Sequence, residues 1–163
     1  MTPFALSGLL ILITSLSLGI LVLIKTPNNF TNRLWAYFNF AIALWGLGAY
    51  KMGSTHDPQS AFLWCKISHI GIILLPVFDL HFSHYYLEVK NKRLINLIYL
   101  IGLFFLITLL SGHLVPPVKY MFNSLYYPNN PSIVYILFAF FWVSTVVYKY
   151  QFAYRFLTLK PNW

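Results

Sequence analysis

Apolar residues run along this chain in five long blocks separated by polar turns. The blocks extend from about Ala5 to Ile24, Leu34 to Tyr50, Ala61 to Leu87, Leu94 to Leu110 and Ile133 to Tyr148. A helix rises about 1.5 Å per residue, so roughly 20 such residues cross the hydrocarbon core of a bilayer. The pattern predicts an all-α fold, a polytopic transmembrane helical bundle of about five spans. It further predicts a single membrane domain over residues 1–163, with no internal repeat and no soluble output domain. Three connections are short and turn-rich: Lys25-Thr-Pro-Asn-Asn, Gly53 to Pro58, and Glu88 to Arg93. Connections of that length join antiparallel neighbours. The fourth, Ser111 to Ser132, carries Pro116-Pro117, Tyr126-Tyr127 and Pro128 to Pro131, and is expected to be an irregular aromatic loop at the headgroup layer.

Composition agrees with lipid as the solvent: 59% of residues are hydrophobic, 9% are charged, and the mean hydropathy is +0.68. Met1 to Phe4 lacks the basic start of a secretory leader, so the first block is expected to stay as a helix. The net charge of +8 does not point to nucleic acid, because the basic residues lie between apolar blocks and form no continuous face. They report orientation instead. Lys25, Arg33, Lys90, Lys92, Arg93, Lys149, Arg155 and Lys160 fall on one side, against Lys51, Lys66 and Lys119 on the other. Basic residues near span ends are retained on the cytoplasmic side. The expected topology in the plasma membrane therefore has the N-terminus outside and the C-terminus in the cytoplasm. Lys149 to Trp163 mixes Tyr150, Phe152, Tyr154 and Phe156 with basic residues, as an interfacial continuation of the fifth helix would.

The third block holds most of the ionisable groups: Lys66, His69, Asp79, His81, His84 and, at its end, Glu88. Lys66 is near an end and can snorkel, while His84 lies only about 6 Å from Glu88 and is expected at the interface. Asp79 is about 13 Å in from Glu88. Held there as a charge it would cost roughly 2.5–3.5 kcal/mol, so it must be neutralised, paired or hydrated. Asn39 of the second block lies at a comparable depth and is the expected hydrogen-bond partner.

Asp79, His81 and His84 supply metal-ligand types, but Asp79 is two residues from His81 and points nearly the other way on a helix. No metal or other cofactor is therefore expected. Cys65 stands alone, with no partner for a disulfide or zinc site, and reads as a buried inert thiol. Pro76 removes a backbone hydrogen bond mid-block and predicts a kink. The small residues around Trp45, from Ala41 to Ala49, permit close helix approach. No nucleophile elbow, HExxH or phosphate-cradling glycine loop is present, so the chain does not read as an enzyme.

Two stretches carry a family resemblance: Asn32 through Trp45 to Gly48, and Phe62-Leu-Trp64 through Gly71 and Pro76 to His81-Phe82. In order and approximate spacing, Asn32, Trp45, Gly48, Trp64, Gly71, Pro76, His81 and Phe82 resemble the N-terminal seven-transmembrane region found ahead of bacterial sensor histidine kinases. The resemblance is most specific over residues 32–90. It implies a sensory input module that detects a small ligand or a membrane property and passes a helix movement to a cytoplasmic kinase or other signalling partner. Two features depart from the family: five blocks rather than seven, and Asp79, which is no part of the shared pattern. Two other readings stay open on the residues alone. One is a small transporter or channel-like protein with Asp79, Asn39 and Pro76 along its path. The other is an inactive fragment of a longer receptor. The candidate functional or packing residues are thus Asn39, Trp45, Trp64, Gly71, Pro76, Asp79, His81 and Phe82.

Overall fold

The computed structural model describes residues 2–89, 91–121, 125–129 and 131–159, with the side chains of 125, 153, 155–157 and 159 excepted. Lys90 and Lys160, counted above for orientation, lie outside the described residues, as do the side chains of Arg155 and Phe156. Five helices account for the apolar blocks: α1 (Pro3–Lys25), α2 (Phe30–Ser54), α3 (Pro58–Tyr86), α4 (Lys92–Leu110) and α5 (Ile133–Leu159). Each predicted block lies within its helix except at Leu87, which caps α3. The long connection departs from expectation. It folds back as an antiparallel hairpin of β1 (Val118–Met121) and β2 (Leu125–Pro128), with Lys119 opposite Tyr127 and Tyr120 opposite Tyr126. Pairing satisfies backbone groups that an irregular loop at the headgroup layer would leave to water.

Four helices, α1, α3, α4 and α5, are long and apolar enough to cross a membrane. The fifth, α2, is as long but less apolar, and its packing explains why. It lies between α1 and α3 and meets both through small residues, among them Ala36, Ala41, Ala43, Gly46, Gly48 and Ala49, all buried. Gly46 faces α1, where an added Cβ would come within 2.7 Å of the Leu12 nitrogen. Gly48 faces α3, where a Cβ would collide with Ser68. From the α3 side, a Cβ on Gly71 would strike the Ala41 carbonyl. A helix covered on two faces by other helices needs little lipid-facing hydrocarbon, and small residues give low hydropathy together with close approach.

The helix ends are set by local chemistry. Asn29 caps α2 by accepting from the Asn32 amide, and Asn91 caps α4 by accepting from the Leu94 amide. Asp57 caps α3, accepting from the Ser60 amide at 2.8 Å and from the Ser60 hydroxyl at 2.6 Å. At their C-termini α3 and α4 close alike. Val89 N–H donates to the His84 carbonyl and His113 N–H to the Thr108 carbonyl, each over a left-handed residue. That residue is Gly112 after α4 but Glu88, at φ 56°, after α3.

The hairpin end is tied together by polar links. The Thr2 hydroxyl donates to the Gly53 carbonyl, and the Tyr126 hydroxyl donates to the His56 carbonyl at 2.9 Å. Below it a core of Cys65, Ile73, Phe105, Leu109, Leu114, Val115 and Phe138 joins α3, α4 and α5.

Two outcomes follow from this packing. Gly71→Leu should lose about 1–3 kcal/mol or fail to fold, because backbone stands in the way. Gly102→Ala should cost less, since the Cβ meets only the end of the Val77 side chain. Unfolding in mixed micelles followed by circular dichroism measures both. For Asp57, the hydrogen bonds from Ser60, its side chain first, hold the carboxyl below its ordinary range. Its stabilising contribution is therefore complete above the ordinary carboxylate range and disappears as pH falls through the lowered value. Asp57→Asn should unfold more readily than the parent at neutral pH and match it in strong acid.

Candidate functional site

Three helices and the hairpin enclose a cleft of about 670 Å³. One wall is the α2 and α3 pair, contributing Phe38, Ile42 and Trp45 from α2 and Ser68, Ile72 and Pro76 from α3. The facing wall is α5, with Tyr135, Trp142 and Val146, and β2 closes one end with Tyr126 and Tyr127. At the other end stand Asp79 and Lys149. Asp79 to Cys65 is fourteen residues of α3, so the cleft extends along that helix for about 21 Å.

Asp79 is paired, but with Lys149. The Lys149 ammonium donates to Asp79 Oδ2 at 2.7 Å, with the two side chains 37% and 25% exposed. The expected partner Asn39 is turned away. Its side-chain amide donates to the Trp35 carbonyl, one turn back on its own helix, at 2.8 Å, and the residue is buried. A carboxylate attracts an ammonium more strongly than an amide, and Asn39 satisfies itself locally without crossing the bundle. The sequence reading assigned Lys149 to the interface by its place at the end of an apolar block. A flexible four-carbon stem lets that ammonium reach back to meet Asp79.

Pro76 provides the second link. Because proline has no N–H, the carbonyl four residues earlier, on Ile72, loses its helical donor. The Trp142 indole of α5 supplies one, donating to the Ile72 carbonyl at 3.2 Å. α3 runs without interruption from Pro58 to Tyr86 across this point. Trp142 was no candidate on sequence, although an orphan carbonyl in hydrocarbon demands a donor and tryptophan is one of the few side chains that brings one into an apolar helix. α3 and α5 are thus joined by polar links on each side of Pro76, with the Tyr148 hydroxyl also 3.5 Å from His84 Nε2.

The remaining candidates are dispersed. Trp45 lines the cleft and is 39% exposed. Trp64 lies toward the hairpin end under the Lys51 ammonium, which sits 5.5 Å from its ring. Lys66 likewise lies 4.6 Å over the Phe62 ring. Gly71 is the α2 contact already described. His81 Nδ1 is 2.9 Å from the Tyr99 hydroxyl of α4, and the Phe82 ring lies tilted against Trp35 at 5.3 Å. Trp64, Gly71, His81 and Phe82 hold helices together and do not line the cleft. His84, expected at the interface, is buried within the protein, with Nδ1 3.0 Å from the Leu80 carbonyl and its ring within 6 Å of those of Tyr148 and Phe152 of α5. It lies two residues from the end of α3, where α5 continues past that level and covers it. Among the described residues no group of three His, Cys, Asp or Glu side chains could hold a metal ion.

The model of a family described as the N-terminal 7TM region of histidine kinase matches residues 8–160. The chain belongs to that family. No curated protein and no solved structure matches it. As a member of the 7TM histidine-kinase region, the chain is a multi-pass membrane protein, and its helices of α1, α3, α4 and α5 are suited to cross the bilayer. Within this 7TM-region chain, Trp45, Gly48, Trp64, Gly71, Pro76, His81 and Phe82 of the residues that carried the resemblance lie at α2–α3 contacts or on the cleft wall, while Asn32 donates to the Thr26 hydroxyl at the α1–α2 turn.

Both links can be measured by coupled substitutions. Asp79→Asn and Lys149→Met should each destabilise the fold, and together by less than the sum, with the coupling of about 0.5–3 kcal/mol that contacting residues show. Asp79→Asn with Asn39→Leu should instead be additive. Trp142→Phe leaves the Ile72 carbonyl without a donor and should cost about 1–3 kcal/mol. In a Pro76→Ala background, where residue 76 regains its N–H, that cost should largely vanish. Equal costs in the two backgrounds would refute the link.

Proposed function

We propose that this chain is the sensory input module of a signalling system, non-enzymatic itself, in which α5 is the element that moves. The observation that carries the reading is the contrast in how the helices are held. α1, α2 and α3 interlock through backbone-close contacts over most of their length, whereas α5 packs sparsely on α3 and meets it through Trp142 at Ile72, Lys149 at Asp79 and Tyr148 at His84, with a cleft between them. A rigid three-helix unit and a loosely docked helix provide the two parts that a conformational switch requires. α5 also continues in one helix from the hairpin to Leu159, beyond its apolar stretch, and so would carry a displacement from cleft to membrane surface.

In this reading the stimulus acts at the cleft. Whatever strengthens or loosens the Asp79–Lys149 and Ile72–Trp142 links shifts the docking equilibrium of α5, and a cytoplasmic kinase or related partner reads the change. The distribution of basic residues supports a plasma-membrane orientation with the hairpin outside and the end of α5 in the cytoplasm. The transporter alternative draws less support, because Asn39 does not line the cleft and most of the wall is apolar.

The test is to label cysteines placed at Tyr86 and Tyr154, both exposed, in a Cys65→Ser background and to measure their separation in bilayers by electron paramagnetic resonance. Asp79→Asn should move or broaden the distance distribution by several ångströms. With a histidine-kinase core joined after Trp163, the same substitution and Pro76→Ala should change autophosphorylation at unchanged expression. Unchanged distances together with unchanged autophosphorylation would refute the proposal.

A further inference from the structure

From the shape of the cleft and the placement of its polar atoms, we infer that it binds a single-chain amphiphile with an uncharged, hydroxyl- or amide-type head seated at Asp79 and Lys149 and its chain directed toward the hairpin. The inference rests on the reading of the chain as an input module and names its ligand class.

The first argument is dimensional. The cleft is long and narrow, about 670 Å³ along about 21 Å of α3, a shape that suits one extended chain.

The second argument is chemical. Lipid tails are as apolar as the cleft wall, so hydrocarbon alone gives a ligand no reason to prefer the cleft to the bilayer. A polar head supplies the reason, because in hydrocarbon it has no hydrogen-bond partner. Several of the cleft's other polar groups are already engaged. Tyr126 donates to His56, Trp142 to Ile72, Ser68 to Trp45 and Thr145 to Trp142, while His69 Nδ1 is 2.8 Å from the Cys65 carbonyl. The ion pair is different. Among the described residues Lys149 spends one of its three donors, on Asp79 Oδ2, and Asp79 Oδ1 accepts nothing. Spare donors and a spare acceptor therefore stand side by side at one end of an apolar slot. A head that both accepts and donates satisfies them together. A charged head would satisfy one member and leave the other uncompensated, which an environment of low dielectric disfavours.

The test uses the full chain in phosphatidylcholine vesicles and a monoacylglycerol with a dibrominated chain, read by quenching of the tryptophans that line the cleft. Quenching should saturate, should reverse with unbrominated monoacylglycerol, and should exceed that of dibrominated phosphatidylcholine at equal bromine. The corresponding brominated fatty-acid anion should bind at least about tenfold more weakly, the factor that one lost hydrogen bond of about 1.4 kcal/mol represents. Val146→Phe, or Ile42→Phe on the opposite wall should the first not fold, should weaken binding by a similar factor. Asp79→Leu combined with Lys149→Met should abolish the preference for monoacylglycerol over phosphatidylcholine while helicity is retained. Non-saturating quenching that is equal for all probes would overturn the inference, as would binding indifferent to the double substitution. Saturable binding without a change in the Tyr86–Tyr154 separation would keep the ligand and remove the input-module reading. Movement of α5 with another stimulus and no monoacylglycerol binding would do the reverse.

Discussion

In hydrocarbon no hydrophobic effect presses one helix against another, so this bundle depends on how closely its backbones approach. The contact that fixes everything else is the interlocking of α2 with α1 on one face and α3 on the other. Gly46 and Gly48 are two residues apart and therefore point to different sides of the same helix. Each removes a Cβ where a neighbouring backbone passes, and Gly71 does the same from α3. Dispersion over many close atom pairs then supplies the association that water would supply elsewhere. The consequence is a stiff three-helix slab whose outer helices need other means of attachment.

For α5 the means are apolar contact with α4, chiefly Phe138 against Phe105, and polar links to α3. Each link is modest in water, but in lipid the alternative is an unsatisfied carbonyl or an unpaired charge, and the cost of separation rises accordingly. The same property makes the links selective. Steric interlocking yields only if many atoms move, whereas a hydrogen bond and an ion pair can be exchanged for equivalent bonds to another molecule. The slab therefore resists rearrangement more than the α5 attachment does.

How much of this was legible in the sequence follows from where the determining physics resides. The five helices were readable because membrane thickness and backbone satisfaction leave an apolar block few alternatives. The resemblance carried by Asn32, Trp45, Gly48, Trp64, Gly71, Pro76, His81 and Phe82 was readable too, and all of these but Asn32, at the α1–α2 turn, fall at α2–α3 contacts or along the cleft. The hairpin was not, because Lys119 and Tyr127 become neighbours only when Pro116-Pro117 and Pro128 have set the directions of the two strands. Asp79 was recognised as a charge needing a partner, and the partner was missed. Depth along the chain ranks candidates within one helix, but it says nothing about which helix stands opposite. Asn39 matched Asp79 in depth and was facing elsewhere, while Lys149 was assigned to the surface although its stem could reach inward. His84 shows the same limit: the distance to the end of its own helix ignored α5 running beside it.

The pairing of Pro76 with Trp142 shows how a local defect becomes a long-range connection. A proline in a water-soluble helix leaves a carbonyl that solvent can satisfy, and the helix bends or ends. In lipid, solvent is absent and the orphan group must find protein. The Ile72 carbonyl is therefore a fixed acceptor on the wall of α3, pointing away from the helix ladder, and α5 is placed by the donor that answers it. Any alanine at position 76 would close the ladder and remove the reason for Trp142 to stand where it does. The helix irregularity and the position of the neighbouring helix are in this sense one feature. Through it, the attachment of α5 is set by a missing proton in the middle of α3, beside the cleft where a ligand would compete.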